Sequence, residues 1–177
     1  WVDDASNGGD EYTPNAVGDN RHTGKLATAP KPYLTNLLRV YSLGAANVVY
    51  VDSGEYSMID PVAISGATDL GLGLDEGFSI LGPTDPARVA GLFPAIPGDR
   101  TQPVILLDDA DNMTLRGLTL RNALRGLEVR NGSDGLVASD LTATGHAAGG
   151  MLIETNAPFS AFSGLTAYGN TGTGISI

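Results

Sequence analysis

The sequence predicts an all-β fold: a right-handed, single-stranded parallel β-helix, a solenoid, with an amino-terminal capping α-helix. Two observations carry this expectation. The first is a repeat of about 24 residues in the last third of the chain. Leu106, Val129, Ile153 and Ile177 fall 23, 24 and 24 residues apart, and Leu118, Leu141 and Leu165 keep the same step, as do Thr119, Thr142 and Thr166. A fixed period in this range is the mark of a stacked solenoid. The second is the pattern inside each repeat, where an apolar-x-apolar triplet recurs three times. Val104/Leu106, Met113/Leu115 and Leu118/Leu120 make one set; Leu127/Val129, Leu136/Ala138 and Leu141/Ala143 make the next. Alternation of this kind turns those side chains inward and leaves Thr119, Thr142, Arg121 and Arg130 outside.

The elements follow in chain order within a single domain, 1–177. Residues 1–47 form an amino-terminal cap, polar and turn-rich up to residue 31. Leu34, Leu37, Leu38 and Tyr41 then recur at i, i+3, i+4 and i+7, which predicts a helix over about 31–43, opened by Pro30 and Pro32 and ended by Gly44. So short a helix needs an apolar surface to cover, and the open end of a solenoid offers one. Residues 48–103 hold the first irregular coils, with strands expected at VVYVD (48–52), VAI (62–64) and FSILG (78–82). The segment 83–103 carries five of the ten prolines and is expected to leave the ladder altogether. Regular coils fill 104–177. One residue marks a tight bend between two strands in each: Gly117, Asp140 and Gly164. Ile175 and Ile177 begin another rung, so further coils, or self-association at the carboxyl-terminal edge, are expected there.

Charge and composition exclude several classes of function. The formal net charge is −10, against nucleic acid as a partner. The charge is uneven: residues 1–112 hold 16 acids and six basic residues, whereas residues 113–177 hold four of each. No run approaches 18 apolar residues, so membrane insertion is not expected. The chain has no cysteine, which excludes disulfides and thiolate metal sites.

Candidate chemistry sits in several places. Arg116, Arg121, Arg125 and Arg130 cluster around one coil, with Glu128 among them. Guanidinium forks hold carboxylates in a bidentate way, so an acidic polysaccharide is the natural ligand, unless these arginines only neutralise neighbouring acids. Tyr168 is expected to point outward beside Thr144 and Arg121, where its ring offers a face to a sugar. Asp108, Asp109 and Asp111 present hard oxygen ligands suited to calcium, or else cap backbone groups in their turn. No cofactor is required. Asp3, Asp4, Asp10, Glu11 and Asp19 form a second acidic set that either binds calcium or is a solvated face, with Trp1, Tyr12 and Tyr56 nearby. His146 lies in the turn ATGHAAGG and is expected to be solvated.

The stretches VGDNRHTGKLATAPKPYLTNLL, NVVYVDSGEYS, FSILGP and DNMTLRGLTLRNA together resemble the amino-terminal half of pectate-lyase-like β-helix proteins. The likeness covers most of residues 15–177. It departs at the first turn, where Asn20, Arg21, His22, Thr23 and Gly24 replace the usual acidic run and the calcium site sometimes built there does not carry over. The resemblance implies a bacterial, extracellular or cell-surface setting. It also implies one of two roles: a non-catalytic module of a larger protein with structural, assembly and polysaccharide-contact duties, or the front part of a polysaccharide lyase or uronan epimerase. Lyases of this kind use lysine or arginine as base, and no lysine follows Lys31. That weighs toward the module.

Overall fold

The structure, a computed structural model, describes residues 1–66, 76–154 and 159–177. Among them, fifteen short strands wind into five coils of three. The first coil holds β1 (Val48–Tyr50), β2 (Gly54–Met58) and β3 (Val62–Ser65), and the second β4 (Ser79–Leu81), β5 (Ala90–Pro94) and β6 (Ile105–Asp108). The third has β7 (Thr114–Arg116), β8 (Leu118–Arg121) and β9 (Arg125–Arg130), and the fourth β10 (Val137–Ser139), β11 (Thr142–Thr144) and β12 (Gly149–Ile153). The fifth has β13 (Ala161–Ser163), β14 (Thr166–Tyr168) and β15 (Thr173–Ser176). Each coil gives one strand to each of three five-stranded sheets, and the strand pairings are parallel throughout.

Register turns this winding into a core. In the first sheet Val49, Ile80, Leu115, Ala138 and Phe162 stand in one column. In the second sheet the column is Tyr56, Leu92, Leu120, Ala143 and Ala167. The third sheet carries two columns, Val62–Ile105–Leu127–Met151–Ile175 and Ile64–Leu107–Val129–Ile153. Apart from Ala167 in the last coil, these side chains join one continuous apolar cluster, fully buried through most of its length and partly buried at Phe162 and Ile175. Each rung has the next as its partner, which is why an apolar residue recurs at every step.

One inward position differs from the alternation expected from sequence. Val129 lies opposite Leu107, a step of 22 residues, while Leu106 faces Glu128 on the outside of its strand. The run Val104, Ile105, Leu106 and Leu107 is apolar at every position, so alternation gives no phase. The phase is set instead by the neighbouring rungs, Ile64 below and Val129 above. By contrast Thr119, Thr142 and Thr166 stack in register, with Leu118, Leu141 and Leu165 one residue before them.

The bends are made by residues in the left-handed region. Gly117, Asp140 and Gly164 have φ of 68°, 52° and 60°, each between the first and second strands of its coil. Asn122, Gly145 and Gly169, with φ of 59°, 72° and 64°, follow the second strand. Aspartate and asparagine are the side chains that best tolerate this conformation, which explains how Asp140 and Asn122 each stand in for glycine at one coil of its corner.

Two other expectations are corrected. The segment 83–103 does not leave the ladder: β5 pairs with both β2 and β8. Its Pro94 is the last residue of the strand, and Ala95 resumes hydrogen bonding to the Met58 carbonyl, so the missing N–H costs little. The helix, α1, spans Leu34–Leu38, five residues rather than the thirteen of 31–43, with Tyr33 as N-cap and Arg39 as C-cap. It has no side-chain cap, no acid in its first turn and no base in its last, so nothing local extends it. Burial holds it, since Leu34, Leu37 and Leu38 all join the core and Tyr41 packs against it.

The register has a direct consequence for stability. Leu107→Ala is expected to cost about 2–5 kcal/mol, and Leu106→Ala under about 1 kcal/mol. Chemical denaturation of the two variants checks this, and equal losses would return the inward phase to Leu106.

Candidate functional site

The outer face of the second sheet forms the floor of an open cleft of about 850 Å³. Strands β8, β11 and β14 supply Thr119, Arg121, Thr142, Thr144 and Tyr168, and the segment 83–89 stands beside them as a wall. Arg121, Thr144 and Tyr168 are neighbours on successive coils, as the repeat step predicts. Arg116 and Asp140 reach the same cleft from the corner before the second strand.

The two cleft arginines are held differently. The Arg121 guanidinium leans back across the second coil to the Glu55 carboxylate and lies 5.2 Å from the Phe93 ring centroid. Gly91 makes this possible, because a Cβ there would sit on the guanidinium itself. Arg116 has no ion pair among the described residues and lies beside the Tyr12 hydroxyl. The buried Nε of each arginine has no hydrogen-bond acceptor.

Arg125 and Arg130 are elsewhere, on the third sheet and matched to acids. Arg125 pairs with Glu128 at 3.0 Å. Arg130 pairs with Asp108 at 2.8 Å and Glu128 at 3.5 Å. The Asn131 amide also binds Asp108, and this bond together with Arg130 holds the Asp108 carboxyl below the usual carboxylate range. Asp111 accepts the backbone N–H of Asp134 at 2.8 Å, and Asp109 is an exposed corner residue with φ of 57°. The four arginines thus divide into two pairs, and Asp108, Asp109 and Asp111 do not gather around a shared point.

A different acidic group does gather. Asp3, Asp10 and Asp52 each have a carboxylate oxygen within 4.8 Å of the others, and all three are buried. Asp52 is a hub for the loop 9–13. One of its oxygens accepts the N–H groups of Glu11 and Ser53, each at 2.7 Å. The other accepts the N–H of Tyr12 at 2.7 Å and of Thr13 at 2.6 Å, and the Thr13 hydroxyl at 2.8 Å. Burial opposes its charge, but these donors prevail and hold its carboxyl below the ordinary range. Asp3 and Asp10 have far less help: none of their four oxygens has a hydrogen-bond partner, and the Thr13 hydroxyl, which eases the Asp3 charge, donates its proton to Asp52. Burial first, and the Asp10 charge second, push the Asp3 carboxyl up to about 7. Burial and the Asp52 charge raise Asp10 in the same direction.

Sequence reading reached Asp3 and Asp10 but missed Asp52. Alternation after Val49 and Val51 turns Asp52 away from the core, and its burial comes from the loop 9–13, some forty positions away. Tyr56 is not among the exposed aromatics either, because it heads the inward column of the second sheet. It is 2% exposed, and its hydroxyl donates to the Asp52 carbonyl. Trp1 stacks on Tyr50, with centroids 5.6 Å apart, and Tyr12 tilts against the same ring at 4.9 Å.

His146 is the second correction, being fully buried rather than solvated. Its Nδ1 accepts the Ala123 N–H at 3.2 Å, which leaves the proton on Nε2 to donate to the Leu120 carbonyl at 3.0 Å. Asn170 repeats the device one coil on, bonding the His146 N–H and the Ala143 carbonyl. Room for both comes from the shrinking second-sheet column, Leu120 to Ala143 to Ala167, with Gly126 and Gly150 alongside. The repeat step aligns His146 with the buried Ala123, so the signal was present in the sequence.

Compared with family models, curated proteins and solved structures, the chain matches none.

The His146 environment has a pH signature. Burial lowers its pKa from the ordinary value of about 6.5, and protonated Nδ1 would face the Ala123 N–H. The unfolded chain therefore takes up this proton at higher pH than the folded one. The stability that neutral His146 contributes is complete above about 6.5 and is lost as pH falls toward the depressed folded value. The melting-temperature advantage of wild type over His146→Asn is expected to shrink between pH 7 and 5. An advantage independent of pH would mean that the ring titrates normally.

Proposed function

We propose that this chain is a right-handed, pectate-lyase-like β-helix module of a larger bacterial extracellular or surface protein, and that its second-sheet cleft contacts uronic-acid-containing polysaccharide. The single observation that carries this reading is the cleft itself, where Arg116, Arg121 and Tyr168 share one open surface. A polyuronate presents carboxylates at regular intervals along sugar rings. Guanidinium forks fit the carboxylates, and a tyrosine face fits the rings. An open cleft along a sheet suits a chain-like ligand, and its volume lies within the range of ordinary ligand sites. Right-handedness is the general rule for parallel strands joined by a crossover in one sheet. The buried leucines of α1 suit a capping role over the first coil.

The reading predicts retention of polygalacturonate or alginate in an affinity gel, weakening as salt rises, with no retention of neutral glucans. Arg116→Ala should lower affinity about tenfold, the loss of one charge-assisted contact. Tyr168→Ala should also weaken binding, and Arg125→Ala, on the other sheet, should leave it unchanged. A wild-type protein indifferent to all uronans would remove the proposal. Appearance of unsaturated uronate during the incubation would replace it with the lyase alternative.

A further inference from the structure

We infer that Asp3 and Asp10, backed by the charge of Asp52, form a binding site for one hard divalent cation of the calcium class, separate from the cleft.

The cluster differs from an ordinary acidic patch in two respects. Asp3 is 0% exposed and Asp10 8%, so water does not solvate their charges. All four of their carboxylate oxygens also lack a hydrogen-bond partner, the neighbouring Thr13 hydroxyl being given to Asp52, while a third carboxylate stands within 4.8 Å. Buried carboxylates are ordinarily paired, hydrogen-bonded or bound to metal. The nearest candidate counter-charge within the protein is otherwise engaged. Arg88 eases the charge of Asp10, but its ion pair is to Asp85 at 3.4 Å and its other hydrogen bond goes to the Gly9 carbonyl. Lys31 is turned to the Asn20 carbonyl. The vacant lone pairs therefore belong to Asp3 and Asp10, and Asp52, whose two oxygens already accept five hydrogen bonds of 2.8 Å or less, adds mainly its charge.

Ligand type selects the ion. Carboxylate oxygens without nitrogen or sulfur favour calcium and magnesium over the softer metals. The three carboxylates come from an amino-terminal segment, a loop and the residue just past a strand, an irregular arrangement that suits calcium's flexible coordination better than magnesium's strict octahedron. The site would tie these three pieces together. Val2 already bridges Val51 and Lys31, and the loop 9–13 continues to the cleft wall, where Glu11 accepts the N–H groups of Thr84 and Asp85.

The test uses the full chain, freed of metal with a chelator. Addition of calcium alone should raise the melting temperature by several degrees, and calorimetry should show one site, with magnesium binding more weakly. Asp3→Asn and Asp10→Asn should each abolish the calcium-dependent rise. Their stability without metal should hold or improve, since each removes a buried repulsion. Asp108→Asn should keep the full calcium response. The inference is overturned if calcium shifts nothing, the outcome expected if Asp3 and Asp10 share a proton instead. It is equally overturned if the response survives in both cluster variants or disappears in Asp108→Asn. None of these readouts depends on polysaccharide binding, so the cleft and the cation site stand or fall separately.

Discussion

The rest of this structure depends on the parallel stacking of like rungs. Every coil presents the same three short strands to its neighbours, and a strand of three to six residues cannot bury an apolar face alone. Register is therefore the governing constraint. A slip of one residue in any coil would exchange its inward and outward side chains against both neighbours at once. The positive-φ corners enforce that register from outside the core. A left-handed residue at the same place in successive coils fixes where each strand stops.

The core is not uniformly apolar, and its polar members have a common logic. His146, Asn170 and Ser133 each satisfy backbone groups at a corner, where the ladder itself leaves donors and acceptors unpaired. Ser133 accepts the Ala110 N–H and donates to the Arg130 carbonyl, one coil bonding to the one before. The second sheet narrows to alanine where His146 and Asn170 enter, so volume is conserved while composition changes.

The same stacking distributes charge. On the third sheet Arg125 and Arg130 meet Glu128 on their own rung, and Arg130 also meets Asp108 on the rung before, so these contacts hold charge in balance along that face. On the second sheet the rungs carry threonine and tyrosine beside arginine, and Arg116 at the adjoining corner has no ion pair among the described residues. Three acids of the first part of the chain, Asp3, Asp10 and Asp52, are buried together at the loop 9–13, which also supports the cleft wall through Glu11.

Much of the fold was legible in the sequence, because a solenoid writes its geometry as a period. The leucine and threonine columns, the corner residues 117, 140 and 164, and the neighbour relation of Arg121, Thr144 and Tyr168 all follow from a fixed step between identical environments. Where local pattern is degenerate, as in the apolar run 104–107, only the neighbouring rungs could select the inward residues. The length of α1 and the return of 90–94 to the ladder were also decided by packing, since neither has a strong local signal. The candidate sites were less legible still. Which arginines meet acids and which face the cleft depends on the sheet each one leaves. The burial of Asp3, Asp10 and Asp52 depends on a covering loop far away in sequence. Periodicity is local information repeated, so the chain encodes it directly; convergence of distant side chains is long-range, and only the folded winding creates it.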